Sequence, residues 1–385
     1  MSGDDGFACP ARTQVANFRD AAKGAKIVTV QKKGALGMAY DLRQTMWRLR
    51  SLAGIALVAA TVAPPTGAQA RPGSVGNTLR QIATIDLPGP KGNRFDYLAI
   101  DKPDHYLLSA YLGAGILYVI DMKTNTVVHA ISGVPGVEGV VYVPELHRVY
   151  TSDWMESKIG VVDLKQMKVI AKLPTESKPD GSAYAAPFGK VYVSDERGKA
   201  EAVIDVQTDR IIKTLHFDSE TGMPQYDPVA RRIYVNLQDQ NLFAEIDPAT
   251  DHVIASYPVG ECRGNHGMTL DPIHHRAFLS CEKNSLMTVF NLDTHKAIAY
   301  LPMAAGADVI KYDPGLRRIY VACFSGAISV FHEVDPNHYR KLQDFPVQAK
   351  VHSLAVDPVT HRVYTPEQQE NGKPVAKMIV YEAVQ

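Results

Sequence analysis

The chain has 385 residues, 41 basic and 41 acidic side chains, and an apolar content of 45%. A chain of this size and composition buries a substantial core, and its balanced charge offers no electrostatic footprint for a polyanion, so nucleic-acid binding is not expected.

The first segment with a pattern is MWRLRSLAGIALVAATVAPPTGAQA, from Met46 to Ala70. Arg48 and Arg50 supply a cationic start, Ser51 to Ala63 an apolar stretch short for a bilayer, and Ala68-Gln69-Ala70 a small-residue cleavage site. This reads as a secretory signal peptide. A membrane anchor is the competing reading, and no later stretch is apolar over the roughly 18 residues a span requires. Signal peptides begin near their methionine, so Met38 or Met46 is the expected start and residues 1–45 are expected to be an upstream extension. The expected mature protein, 71–385, is periplasmic or secreted and has no membrane span. Export permits disulfides. Outside the extension stand Cys262, Cys281 and Cys323, an odd number that allows one bridge and one free thiol.

TLRQIATIDLP, residues 78 to 88, is a lone strand. After it the chain repeats. HRVYTSD, GKVYVSD, RRIYVNL, HRAFLSC, RRIYVAC and HRVYTPE recur at nearly even spacing, each preceded by a short apolar stretch. Most are followed by a strand ending in a polar turn, as in YVIDMKTNTVV, GVVDLKQMKVI and AVIDVQTDRII, where an Asp side chain can bond the turn backbone before β-branched residues resume. Aligned on the first strand, the units start at Asp96, Glu138, Asp180, Gly222, His266, Asp308 and His352, at intervals of 42, 42, 42, 44, 42 and 44. A period of 40 to 45 residues with four short strands per unit predicts an all-β, seven-bladed β-propeller. The last unit supplies three strands, so the lone N-terminal strand is expected to complete it and close the ring, removing exposed edges.

Tyr192-Val193-Ser194-Asp195, Tyr234-Val235-Asn236 and Tyr320-Val321-Ala322, with Val203-Ile204-Asp205 and Pro179-Asp180-Gly181, resemble the repeats of the YVTN, or YncE-like, propellers over roughly residues 77 to 385. That family includes lactonase-like and surface-layer members beside proteins of unassigned role. Blade 4 departs from the repeat, with Thr221-Gly222-Met223-Pro224 replacing the usual Pro-x-Gly order.

In a propeller the innermost strands line a central channel, so their first residues converge on one mouth. Here that places Asp96, Glu138, Asp180, His266, Asp308 and His352 on one rim. Carboxylates roughly 8 Å apart repel by about 2 kcal/mol per pair at an effective dielectric near 20, so compensation is expected from a cation, raised carboxyl pKa values or basic neighbours. A solvated rim without function is the plainer alternative. His266, Asp308, His352 and Asp96, from consecutive blades, form a mixed set suited to Zn, Mn, Fe or Ca. Arg94, Lys178 and Lys350, each two residues upstream of a rim position, are expected to hold an anionic ligand, with Trp154 as a stacking wall. Glu138 or Asp180 is the expected general base, and Arg263 a stabiliser of developing negative charge. Lactone opening is the reaction that the family resemblance suggests. Cys262 with Cys281 is the favoured pair, because both belong to one blade; Cys281 with Cys323 is the rival.

His274-His275 falls in a turn on the opposite face and is expected to be solvated. No nucleophile elbow, phosphate loop, haem motif or zincin helix occurs. Two functions remain: a monomeric small-ligand binder with hydrolase chemistry, or a non-enzymatic scaffold for a cell-envelope protein.

Overall fold

The computed structural model describes residues 76–384; the extension and signal-peptide expectations fall outside the described residues. Seven four-stranded antiparallel sheets make up the propeller. Blade 2 runs outward from the axis as Val137–Val143, Arg148–Asp153, Lys158–Asp163 and Lys168–Pro174. The innermost strands of blades 1 and 3 to 7 are Leu98–Asp101, Pro179–Ala185, Thr221–Asp227, Asn265–Asp271, Ala307–Asp313 and Ala355–Asp357. The first and last of these begin two or three residues later than the repeat alignment predicts. Asp96 and His352 therefore stand just ahead of their strands, although Asp96 N–H still bonds Ala110 O at 3.0 Å.

The burial pattern explains the repeat. Second and third strands are sandwiched between neighbouring blades and are covered on both faces, so they read as near-continuous apolar runs such as VYVS. Outer strands alternate between exposed and half-buried positions. The expected turns form: Asp205 Oδ1 accepts from the backbone N–H of Gln207 at 3.0 Å and Thr208 at 2.9 Å, and Asn291 Oδ1 from Asp293 and Thr294, both at 2.9 Å.

The repeat tyrosine also latches blades together. Tyr150 Oη donates to Asp209 Oδ1 at 2.5 Å, while Arg148 pairs with the same carboxylate at 2.8 Å. One blade on, Tyr192 and Lys190 make the same contacts to Asp251. Asp209 and Asp251 adopt φ values of 51° and 53° in their turns, a conformation Asp tolerates better than most side chains.

The ring closes as the sequence predicts. Leu79–Asp86 pairs antiparallel with Lys373–Ala383, from Leu79 opposite Ala383 to Asp86 opposite Lys377. It thereby becomes the outer strand of blade 7 and covers the edge an open array would expose. Cys262 and Cys281 are bridged, with Cα atoms 5.3 Å apart, and Cys323 is a buried free thiol. No helix among the described residues is long and apolar enough to cross a membrane.

Candidate functional site at the channel rim

Each rim residue of blades 2 to 6 sits in a β-bulge. Strand register slips by one residue between Val137 and Val140, Pro179 and Ser182, Thr221 and Pro224, Asn265 and Gly267, and Ala307 and Ile310. The extra residue in each is re-aimed, which is how Glu138, Asp180, His266 and Asp308 come to face the opening. In blades 2 and 5 the glycine that follows is a packing requirement. A Cβ at Gly139 would lie 1.9 Å from the backbone oxygen of Asp180, and one at Gly267 would lie 2.2 Å from that of Asp308.

These side chains, with Arg94, Asp96, Lys178, Glu196, Gln238 and Glu282, line a cavity of about 180 Å³. Six carboxylates thus face Arg94, Lys178 and His266. His266 Nε2 lies 3.2 Å from Asp308 Oδ1, 3.9 Å from Asp180 Oδ2 and 3.1 Å from the Tyr97 hydroxyl, which itself reaches Asp180 Oδ2 at 3.4 Å. Burial alone would discharge His266, but Asp308 and Asp180 more than offset it and push its pKa up to about 10. Burial likewise opposes charge on Asp308, yet His266 holds its carboxyl down to about 2. The pair is an imidazolium and a carboxylate.

Glu138 is the opposite case. It is 2% exposed, its Oε2 has no hydrogen-bond partner, and burial together with Asp180 and Asp96 pushes its carboxyl up to about 10. Asp180, also buried, rises to about 7. Two carboxyls of one cavity therefore titrate well apart, Glu138 remaining protonated at neutral pH.

Among the described residues, the ligand atoms of His266, Asp308, His352 and Asp96 do not all lie within 4.8 Å of one another. The Arg94 guanidinium stands between Asp96 and His352. Its Nη2 is 2.9 Å from Asp96 Oδ2, and its Nε donates to His352 Nε2 at 3.2 Å, leaving His352 Nδ1–H to Lys350 O at 2.9 Å. Burial opposes a proton on His352 and Asp96 favours one, with the net effect upward; that proton would have to displace Arg94 from Nε2. Among the described residues, the one set of three His and carboxylate groups with ligand atoms within 4.8 Å of one another is Asp271, His274 and Glu333, outside this cavity. There His274, half-exposed, pairs with Asp271 at 2.6 Å.

Of the residues expected to hold a ligand, Arg94 and Lys178 line the cavity. Lys178 pairs with Glu196, with its amine 5.6 Å over the Trp154 ring, so Trp154 packs behind the cavity rather than walling it. Lys350 is exposed and contributes its carbonyl to His352 instead of its amine to the opening. Arg263 also points elsewhere, its Nη1 donating to the carbonyls of Gly260 and Cys262 at 2.8 and 2.9 Å. Neither lines the cavity.

Glu196 and Tyr97 are cavity contacts that repeat reasoning missed. Tyr97 occupies the position held by Gly139, Gly181 and Gly267 in other blades and by Met223, Val309 and Ser353 in the rest, and a side chain in place of that glycine is the signal that marks it. Tyr97, Met223 and Val309, from blades 1, 4 and 6, form a small apolar cluster of their own. Blades so far apart meet only across the axis, so this cluster plugs the channel beneath the rim. In blade 4, where the rim residue is Gly222, Gln238 closes the gap and donates to Glu196 Oε1 and Thr221 O, both at 3.3 Å.

No protein-family model matches the chain, and no curated protein matches it.

Proposed function

We propose that this chain is an exported propeller of the YVTN-repeat kind that binds a small amine-bearing ligand in the rim cavity. The observation that carries the reading is Glu138, a buried carboxyl with an unpartnered oxygen in a cavity where carboxylates outnumber cations. A ligand ammonium would donate to Glu138 and let it ionise. An ammonium group with several N–H donors suits carboxylates that stand too far apart to coordinate a single bare ion. Export is supported by the Cys262–Cys281 bridge, which persists in oxidising compartments.

Calorimetric titration at pH 7.5 in buffers of different ionisation enthalpy, with 1,3-diaminopropane, ethylamine, Ca²⁺, Mn²⁺ and Zn²⁺ as separate arms, tests this. Binding of an amine with proton release, the release abolished in Glu138→Gln, is the expected result. Binding of a metal ion alone, or of none of these below about 1 mM, would overturn it.

The separation of Glu138 from Asp180 supports a second reading, hydrolysis with Asp180 as proton acceptor and Glu138 as proton donor. A lactone panel assayed from pH 5 to 10 tests it. Activity should be bell-shaped and lost in Asp180→Asn; no turnover above buffer leaves the chain a binding protein.

A further inference from the structure

Beneath the plug the channel widens into a second cavity of about 660 Å³ at the opposite mouth. Its chemistry is the reverse of the rim's. No carboxylate lines it, and its inner ring is formed by the residues three positions beyond the rim residues: Ala99, Val141, Ala183, Gln225, Lys311 and Ala355. An offset of three would put two residues on opposite faces of an unbroken strand. The extra residue in each bulge cancels one step of the alternation, so in blade 6 both Asp308 and Lys311 face the channel.

Lys311 is the one ionisable group on this inner ring. Ala355 is the ring residue beside it on blade 7, Lys311 has no ion-pair or hydrogen-bond partner among the described residues, and Lys102, the other lysine of the lining, is exposed at the outer lip. We propose that the wide mouth is a covalent capture site, in which the Lys311 amine condenses with an aldehyde or ketone carried on a small molecule. Burial alone, with no neighbouring charge acting, lowers the amine to about 8, so an appreciable fraction is the free nucleophile near neutral pH, whereas an ordinary surface lysine is almost wholly protonated. Alanine at three of the ring positions leaves the amine open to attack, and the rings of Tyr142, Tyr184 and Tyr226 in the lining suit a carbonyl that carries an aromatic group.

In the step itself the Lys311 Nζ lone pair forms a bond to the carbonyl carbon, giving a carbinolamine. The two amine protons leave with the carbonyl oxygen as one molecule of water, and a C=N bond remains. No oxidant or reductant takes part. The linkage is reversible until hydride from an added borohydride reduces it to a secondary amine.

The test uses benzaldehyde with sodium cyanoborohydride on the mature chain, followed by peptide mass mapping. At pH 7 Lys311 should be benzylated at least ten times faster than Lys102, with a rate that levels off above a midpoint near 8. Lys311→Arg should lose that modification while keeping its circular dichroism spectrum and melting curve. A second measurement independent of the aldehyde's fit, the pH dependence of acetylation at Lys311, should give the same midpoint. Labelling of Lys311 no faster than Lys102, or a midpoint near that of a free lysine, would overturn the proposal. So would tight binding of sodium benzoate without any aldehyde adduct, which would make the mouth an anion site.

Discussion

Tyr97, on blade 1, places its hydroxyl 3.1 Å from Nε2 of His266 on blade 5, across the axis of the propeller. One side chain thus serves two roles: its ring plugs the channel with Met223 and Val309, and its hydroxyl completes the polar network of the rim. The Tyr97→Ala variant should join the two cavities and lose about 3 kcal/mol in urea unfolding, and Tyr97→Phe should lose only about 1 kcal/mol. A loss below about 1 kcal/mol for Tyr97→Ala would mean the plug is not packed.

The nearest carboxylate to His266 Nε2 is Asp308, at 3.2 Å. In Asp308→Asn, burial would act against the imidazolium with the more distant Asp180 and Glu196 opposing it, so the histidine pKa followed by NMR should fall from about 10 by more than about 2 units. Breaking this buried pair should also cost about 3 kcal/mol. An unchanged titration would show that the pair does not form.

Folding takes up a proton at Glu138, whose carboxyl moves from 4.5 to about 10, and at His266, which moves from 6.5 to about 10. Both pKa values are raised, so both contributions are fully present at low pH and are lost as pH rises toward 10. For Glu138 the loss starts above 4.5, and for His266 above 6.5. Above pH 7 each of these two protons makes stability fall by about 1.4 kcal/mol per pH unit, and Lys311, lowered to about 8, opposes the fall by a similar amount above pH 8. Between pH 7 and 8 the Glu138→Gln variant should therefore lose stability less steeply than the parent, by about 1.4 kcal/mol per pH unit, as measured by urea unfolding in the presence of a chelator. Equal slopes in parent and variant would place Glu138 in its ionised form.

The outer strand Leu79–Asp86 closes the ring and buries Leu79 and Ile85, which are 1% and 5% exposed. Deleting the chain through Asp86 should expose the edge of Lys373–Ala383, and light scattering should then find higher oligomers or aggregate together with a lowered melting temperature. A monodisperse monomer with the parent melting temperature would mean that the closing strand is dispensable.

Much of the architecture is legible in the sequence because a blade is a local unit. Its four strands are consecutive, its turns use short polar residues, and burial on both faces leaves continuous apolar runs such as those around Tyr192 and Tyr320. The repeat therefore determines the seven blades, the identity of the rim residues and the strand that closes the ring. It also brings Cys262 and Cys281 into one blade, although not into a bond.

What only the tertiary structure decided is how the rim residues meet. Repeat alignment shows that Arg94, Asp96 and His352 are near one mouth; it does not show the Arg94 side chain lying between the other two. Nor does it show Arg263 and Lys350 turned away, or Tyr97 crossing the axis. These outcomes depend on side-chain directions across blades far apart in the chain, and on bulges whose one-residue slips re-aim the strand. The physical reason is range: period and turn chemistry act over a few residues, whereas the charge on Glu138, His266 and Lys311 is set by which groups the closed ring brings to each end of the channel.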